Sequence, residues 1–217
     1  MNNHNLLDAL IEQAKLSKKT TDKQQRIIEA AITLFAEKGY ANTSTNEIAK
    51  KAGVAEGTIF RHYGTKDNLL LSVILPFLKQ SLPSMADEVF TRLLADEPKF
   101  EDFLRMLITD RLAFFKQNRD VFHILVKEIL YNEQLRSMIA PIFVDTVIKH
   151  LHIAIQKFQQ RGELIDWPSK TVLRMVMTNL AGYFLVRIFI EPESLVEDEQ
   201  EEIDRIVHYI IHGVGSN

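Results

Sequence analysis

The sequence contains no cysteine, which excludes disulfides, thiolate nucleophiles and cysteine-bearing zinc sites. It is sparing with glycine, 8 in 217 residues, and no segment alternates apolar and polar residues with period two over a useful length, so little favours a sheet. The most apolar stretches, residues 69–78 and 180–190, are interrupted by Pro76 and Arg187 and read as too short for a membrane span. Residues 1–20 hold Asp8 and Glu12 within their apolar part and show no small-residue cleavage pattern, so they do not read as a signal peptide. HExxH, P-loop, GxSxG and paired-carboxylate patterns are missing, which argues against an enzyme. A cytoplasmic protein without cofactor or metal is the expectation.

Apolar residues make up 46% of the chain and charged residues 25%, enough for a packed core and an ordinary surface. The net charge of −3 hides an asymmetry. Residues 1–66 carry 10 Lys and Arg against 7 Asp and Glu, whereas residues 67–217 carry 16 against 22. Only the first part has an electrostatic reason to approach a polyanion.

Apolar positions recur at helical spacing almost throughout, so the fold class is all-α. Thr21 and Gln24 form a capping box opening a helix with the stripe Ile27, Ile28, Ala31, Leu34 and Phe35, and Gly39 stands where a left-handed cap belongs. Ser44 and Glu47 form a second box, opening a short helix that Gly53 ends. A third helix covers roughly residues 56–62, and Thr65 caps a fourth that Pro76 should kink. Further helices are expected near 84–95, 99–117, 119–131, 134–161, 169–190 and 197–212, with a loop at 161–169.

Two short helices joined by a tight glycine turn make a helix-turn-helix, whose second helix lies in the major groove of DNA. Gly39-Tyr40, Thr43-Ser44, Ile48-Ala49, Ala52-Gly53-Val54-Ala55, Gly57-Thr58, His62 and Lys66 stand in an order and spacing that resemble the TetR family of bacterial repressors over about residues 22–70. The residues themselves point the same way. Thr43 and Ser44 at one helix start, and Thr65 with Lys66 at another, are suited to phosphate oxygens. Ala55, Glu56, Gly57, Thr58, Phe60, Arg61 and His62 occupy the helix that should face base edges, Arg61 being able to read a guanine. The resemblance implies that Thr58, His62 and Lys66 contact DNA, Lys66 at a phosphate. Phe60 and Tyr63 depart from the family, which commonly has tyrosine at the first and phenylalanine at the second; Tyr63 is read as core packing. Lys15, Lys18 and Lys19 can serve as a basic arm over the minor groove or stand solvated.

The resulting organisation is an N-terminal extension (1–20), a three-helix DNA-binding domain (21–66) and a helical effector-binding and dimerisation domain (67–217). The family resembled builds a four-helix bundle between two subunits from its last two long helices, so a homodimer on double-stranded operator DNA is implied. An effector pocket is expected among Phe103, Met106, Leu107, Arg111, Phe114 and Phe115, with Phe122, His123 and Tyr131 from the next helix and Asn179 and Tyr183 from a later one. An ordinary helical core explains the same residues. Arg187 and Asn179 are either ligand contacts or dimer-interface hydrogen bonds, the interface being the preferred reading. The function expected is a repressor released from a palindromic operator by a small, largely apolar molecule. The alternatives are a DNA-binding regulator or architectural protein without effector and, from another class, an enzyme using His208 and His212, four residues apart, as metal ligands without an evident third.

Overall fold

The computed structural model describes residues 21–131, 133–190 and 198–215. The extension 1–20, with Lys15, Lys18 and Lys19, lies outside the described residues. The helices are α1 Asp22–Lys38, α2 Thr45–Ala52, α3 Glu56–Tyr63, α4 Lys66–Leu93, α5 Phe100–Gln117, α6 Arg119–Tyr131, α7 Glu133–Phe143, α8 Lys149–Gln160, α9 Ser169–Leu185 and α10 Glu199–Val214. A π-helical turn, Val144–Ile148, joins α7 to α8, and another, Val186–Ile190, prolongs α9. Among the described residues the β pairing is a single bridge between Leu164 and Gly215.

Both capping boxes form, Thr21 with Gln24 and Ser44 with Glu47, so local side-chain chemistry sets the starts of α1 and α2. Gly53 ends α2 in the left-handed conformation, φ 66° and ψ 40°, where any Cβ is strained. Gly39 departs from its expected left-handed cap: φ is 80° but ψ is 155°. Its amide nevertheless donates to the Phe35 carbonyl at 3.0 Å, closing α1.

The expected division between a kinked fourth helix and a separate helix near 84–95 is not found. α4 runs for 28 residues through Pro76 and Pro83. Both prolines are exposed, on the solvent side of the helix. Burial of Leu69, Leu70, Ile74, Phe77, Ala86 and Phe90 holds the helix on either side. Continuous helix also corrects the estimate that no segment is long enough for a membrane. Lys66–Leu93, Leu135–Gln160 and Ser169–Ile190, of 28, 26 and 22 residues, are long and apolar enough to cross one. Each instead carries residues of a protein core on one face.

The chain separates into two compact units whose boundary falls inside α4: Met1–Leu82 with Gln117–Ile139, and Pro83–Lys116 with Ala140–Asn217. In the first, Ile27, Ala31 and Phe35 of α1, Ile48 and Ala49 of α2, Ile59 of α3 and Leu69 of α4 are buried, with α1 against α2 and α2 against α3. In the second, Phe158 has its ring 5.2 Å from Phe100 and 5.3 Å from Phe103. Val172, Val176 and Leu180 of α9 and Ile203, Val207 and Ile210 of α10 complete that core.

Candidate nucleic-acid interface

Two eight-residue helices, α2 and α3, carry the candidate surface, and polar clamps fix them. Lys38 of α1 reaches Glu47 of α2 at 2.7 Å, while Glu47 also accepts from the Ser44 amide at 3.0 Å and the Ser44 hydroxyl at 3.1 Å. Led by the Lys38 hydrogen bond, these contacts hold the Glu47 carboxyl down to about 2 from an ordinary 4.5. Arg26 of α1 donates to the Ala52 carbonyl at 3.2 Å, tying down the turn into α3. Ser44 and Thr65, expected at phosphates, use their hydroxyls as helix caps, Thr65 by accepting from the Asn68 amide at 3.0 Å.

Thr43, placed by its sequence position among the DNA-facing residues, is corrected to a core residue. It is 2% exposed and its hydroxyl lies 2.9 Å from the Gly39 carbonyl and 3.2 Å from that of Leu34. The neighbouring carbonyls are also claimed: the Lys66 ammonium donates to those of Tyr40 and Thr43, each at 2.8 Å, and lies 4.1 Å from the centre of the Tyr40 ring. Tyr40 in turn hydrogen-bonds the Asp67 carboxylate, which Lys127 of α6 approaches at 2.9 Å. That hydroxyl, ahead of the lysine, pushes the Asp67 carboxyl below its ordinary value. In this structure Lys66 therefore braces the loop into α2.

On α3 the sequence's candidates divide by face. Glu56 points back to α2, accepting from the Thr45 hydroxyl at 2.6 Å and the Asn46 amide at 3.4 Å. An acidic residue on a helix meant for a polyanion needs such a partner, and the sequence held a signal for it in the Thr45-Asn46 pair. Arg61 and His62 are exposed, Thr58 is half-buried and Phe60 is 49% exposed, while Ile59 beneath them is 1% exposed and anchors the helix. Tyr63 is half-buried, and burial pushes its hydroxyl pKa up, as its packing role predicts. At the start of α3, Ala55 supplies no side-chain cap, and a Cβ on Gly57 would meet nothing within 4 Å. The start of α3 thus has no side-chain cap, and the Thr58 amide turns to the Ala55 carbonyl at 2.9 Å.

Most of the expected effector lining does not assemble within either unit, although Phe115 and Tyr183 both pack on Phe184 in the second. Phe103 and Leu107 are buried in the second core, but Met106 on the same helix is 39% exposed. Arg111 is held by its neighbour Asp110 at 2.8 Å, with its guanidinium 4.8 Å from the Phe114 ring. Phe122, His123 and Tyr131 belong to the first unit, and Tyr131 is 87% exposed, a solvent position rather than a lining one. Asn179 turns its amide to the Met175 carbonyl at 2.8 Å. An open groove of about 400 Å³ in the second unit is bordered by Asp87, Phe90, Leu94, His150, Ile153 and Lys157, none of them among the expected lining. Tyr183 is half-buried with its hydroxyl enclosed. The His208 and His212 rings lie 3.8 Å apart, and among the described residues no group of three or more His, Asp or Glu is placed to hold a metal.

Comparison with known proteins agrees with this geometry. The family model described as bacterial regulatory proteins, tetR family, matches residues 27–73. The uncharacterized HTH-type transcriptional regulator YvdT of Bacillus subtilis is 25% identical over 192 residues, covering 87% of this chain and 94% of that protein. The solved structure of the regulator FadR from Bacillus subtilis in complex with stearoyl-CoA superposes with a TM-score of 0.55 at 19% identity, covering 87% of this chain and 97% of its own. A transcriptional regulator from Saccharomonospora viridis in complex with choline gives 0.60 at 18%, covering 89% and 98%. At those identities the two structures show a shared fold.

Proposed function

The chain belongs to the TetR family of bacterial transcriptional regulators, and from that premise we propose that it is a repressor that leaves a palindromic operator when a small molecule binds its second compact unit. The observation that carries the reading is α3: its apolar side is anchored by Ile59, while Arg61, His62 and Phe60 face outward beside an uncapped helix start. Thr58, Arg61 and His62 read base edges, and the amides at Glu56 and Gly57 take phosphate oxygens. Ser44 and Lys66 act by fixing the entrance to α2.

A palindromic target requires two copies of α3 about 34–36 Å apart, hence a homodimer. Its support in this chain is apolar surface on the last two helical segments: Met175, Leu185, Ile190 and Tyr209 are 38%, 43%, 72% and 65% exposed. The effector's class does not pass from the related structures, whose stearoyl-CoA and choline carry opposite charges at their polar ends. The location that follows from this function is the cytoplasm, where the DNA is.

The test is selection of genomic fragments by the full-length chain, followed by gel shift and light scattering. The expected result is a twofold-symmetric site bound by a species of twice the chain mass. Binding that shows no preference among duplex sequences, or a monomer at the site, overturns the proposal.

A further inference from the structure

Among the described residues, the second unit contains a buried cation that is only partly paired. Arg187, in the π-helical turn after α9, has a side chain only 3% exposed. Its Nη2 lies 3.6 Å from the Glu199 carboxylate, while Nε and Nη1 have no hydrogen-bond partner among the described residues. Glu199 is shared with Lys116, and Glu202 is approached by Arg205 at 3.9 Å, so neither acid is devoted to the guanidinium. Tyr183, four residues before Arg187, has an enclosed hydroxyl beside that guanidinium and, among the described residues, no partner of good hydrogen-bond geometry. Burial pushes that hydroxyl pKa up, and the neighbouring guanidinium opposes the shift. A partly paired buried guanidinium and a hydroxyl without a well-placed partner are both costly to leave so, and both offer hydrogen-bond donors. π turns inside helices are frequent at functional sites. The surroundings are apolar: the Phe184 ring stands 5.1 Å from Phe115 and 5.7 Å from Tyr183, and Ile188 is buried.

We infer that Arg187 and Tyr183 form the polar end of an effector site for a small anion, a carboxylate or phosphate attached to an apolar body. On its Nη1–Nη2 edge the guanidinium supplies two parallel donors to the anionic oxygens, Nη2 lying 3.6 Å from the Glu199 it shares, and the hydroxyl a third, while the ring cluster about Phe115 and Phe184 receives the apolar part. A second copy of this chain is disfavoured as the source of the anion, because a side chain 3% exposed in one subunit presents no surface for another subunit to dock on. A cationic ligand is disfavoured by the partly paired positive charge. The inference rests on the proposed effector function of the second unit, but it is read without DNA, so the two can fail separately.

The experiment is isothermal titration of the full-length protein with decanoate, decyl phosphate, 1-decanol and decyltrimethylammonium, each below its micelle concentration. At least one anionic probe is expected to bind saturably, once per chain, with the alcohol and the ammonium weaker by at least about tenfold, as for loss of a hydrogen bond to a charged group. The better of decanoate and decyl phosphate identifies the head. Arg187→Met should weaken that probe by at least about tenfold and Tyr183→Phe by a few-fold, with the 1-decanol affinity unchanged. Without probe, Arg187→Met should melt at or above the wild-type temperature, since it removes a partly paired buried charge. Should that variant not fold, Tyr183→Phe and Arg187→Lys carry the same comparison, the lysine losing the forked geometry and much of the affinity. The inference is overturned if neither anion binds below about 1 mM, if the alcohol binds as well as the anions, or if Arg187→Met leaves anion affinity intact. Loss of the dimer in Arg187→Met without loss of anion binding overturns it as well. Failure of operator binding with anion binding intact would instead count against the repressor reading.

Discussion

The two compact units handle polar groups in opposite ways. In the first, the polar groups of α1, α2 and the start of α4 are paired inward: Ser44 with Glu47, Lys38 with Glu47, Thr45 with Glu56, Lys66 with two carbonyls. On α3, Arg61 and His62 face outward. In the second, an apolar helical core encloses polar atoms of Arg187 and Tyr183 that have no well-placed hydrogen-bond partner among the described residues. A surface meant for a rigid, ever-present polyanion is best prepared by immobilising its support. A site whose ligand comes and goes must keep donors unsatisfied while it waits.

The largest effect that sharpens this contrast is in the second core. Phe103→Ala, at a side chain 1% exposed between Phe100 and Phe158, should cost about 3–5 kcal/mol in urea unfolding. DNA affinity of the protein that remains folded should be unchanged; a loss of less than about 1 kcal/mol would mean the core is not packed as described. Next is Lys66→Met. It leaves the Tyr40 and Thr43 carbonyls without their donor and should destabilise the first unit by about 2 kcal/mol. Because Lys66 braces the loop into α2, DNA affinity should fall with the salt slope unchanged. A slope smaller by about one would instead place its charge on a phosphate and break the contrast between braced support and free reading surface.

Arg61→Ala should do the converse, relaxing sequence preference at one base pair by about 1–3 kcal/mol while moving stability by less than about 0.5 kcal/mol. Gel shifts on single-base operator variants, with thermal melting alongside, measure both. The smallest effect concerns acid. The folded Glu47 carboxyl titrates at about 2, below its ordinary 4.5, so its stabilisation is complete above the higher value and is lost as pH falls through the lower one. Glu47→Gln should therefore be less stable than wild type near neutrality, the gap closing between those two pH values in a urea series. A gap that does not depend on pH would mean the Lys38 contact is not ionic in effect.

The first unit was largely legible because its determinants are local. Thr21 with Gln24, Ser44 with Glu47 and the end of α2 at Gly53 depend on residues within four of one another along the chain, and the structure has each as read. Misreadings arose where a residue's partner was distant in sequence. Thr43 and Lys66 carry the composition of phosphate ligands, yet Leu34, Gly39 and Tyr40 claim them. The expected lining rests on residue type, aromatic and Met residues with Arg111 or His123 as polar groups, and residue type does not distinguish Phe103 inside a core from Tyr131 in solvent. The sequence separates a helix near 84–95 from the one that holds Pro76, because a proline's local cost is visible there and the burial that carries α4 through Pro76 and Pro83 is not.

By itself the sequence determined the helical class, the capped starts of α1 and α2, the glycine turn between α2 and α3 and the outward residues of α3. All of these follow from spacing and from interactions between neighbours in the chain. Only the tertiary structure decided which polar groups are spent inside. Lys66 and Glu56 are held on other elements, and Arg187 is enclosed 3.6 Å from a glutamate it must share. Whether a charged side chain has its partner depends on what packing brings beside it. No local pattern in the sequence encodes that.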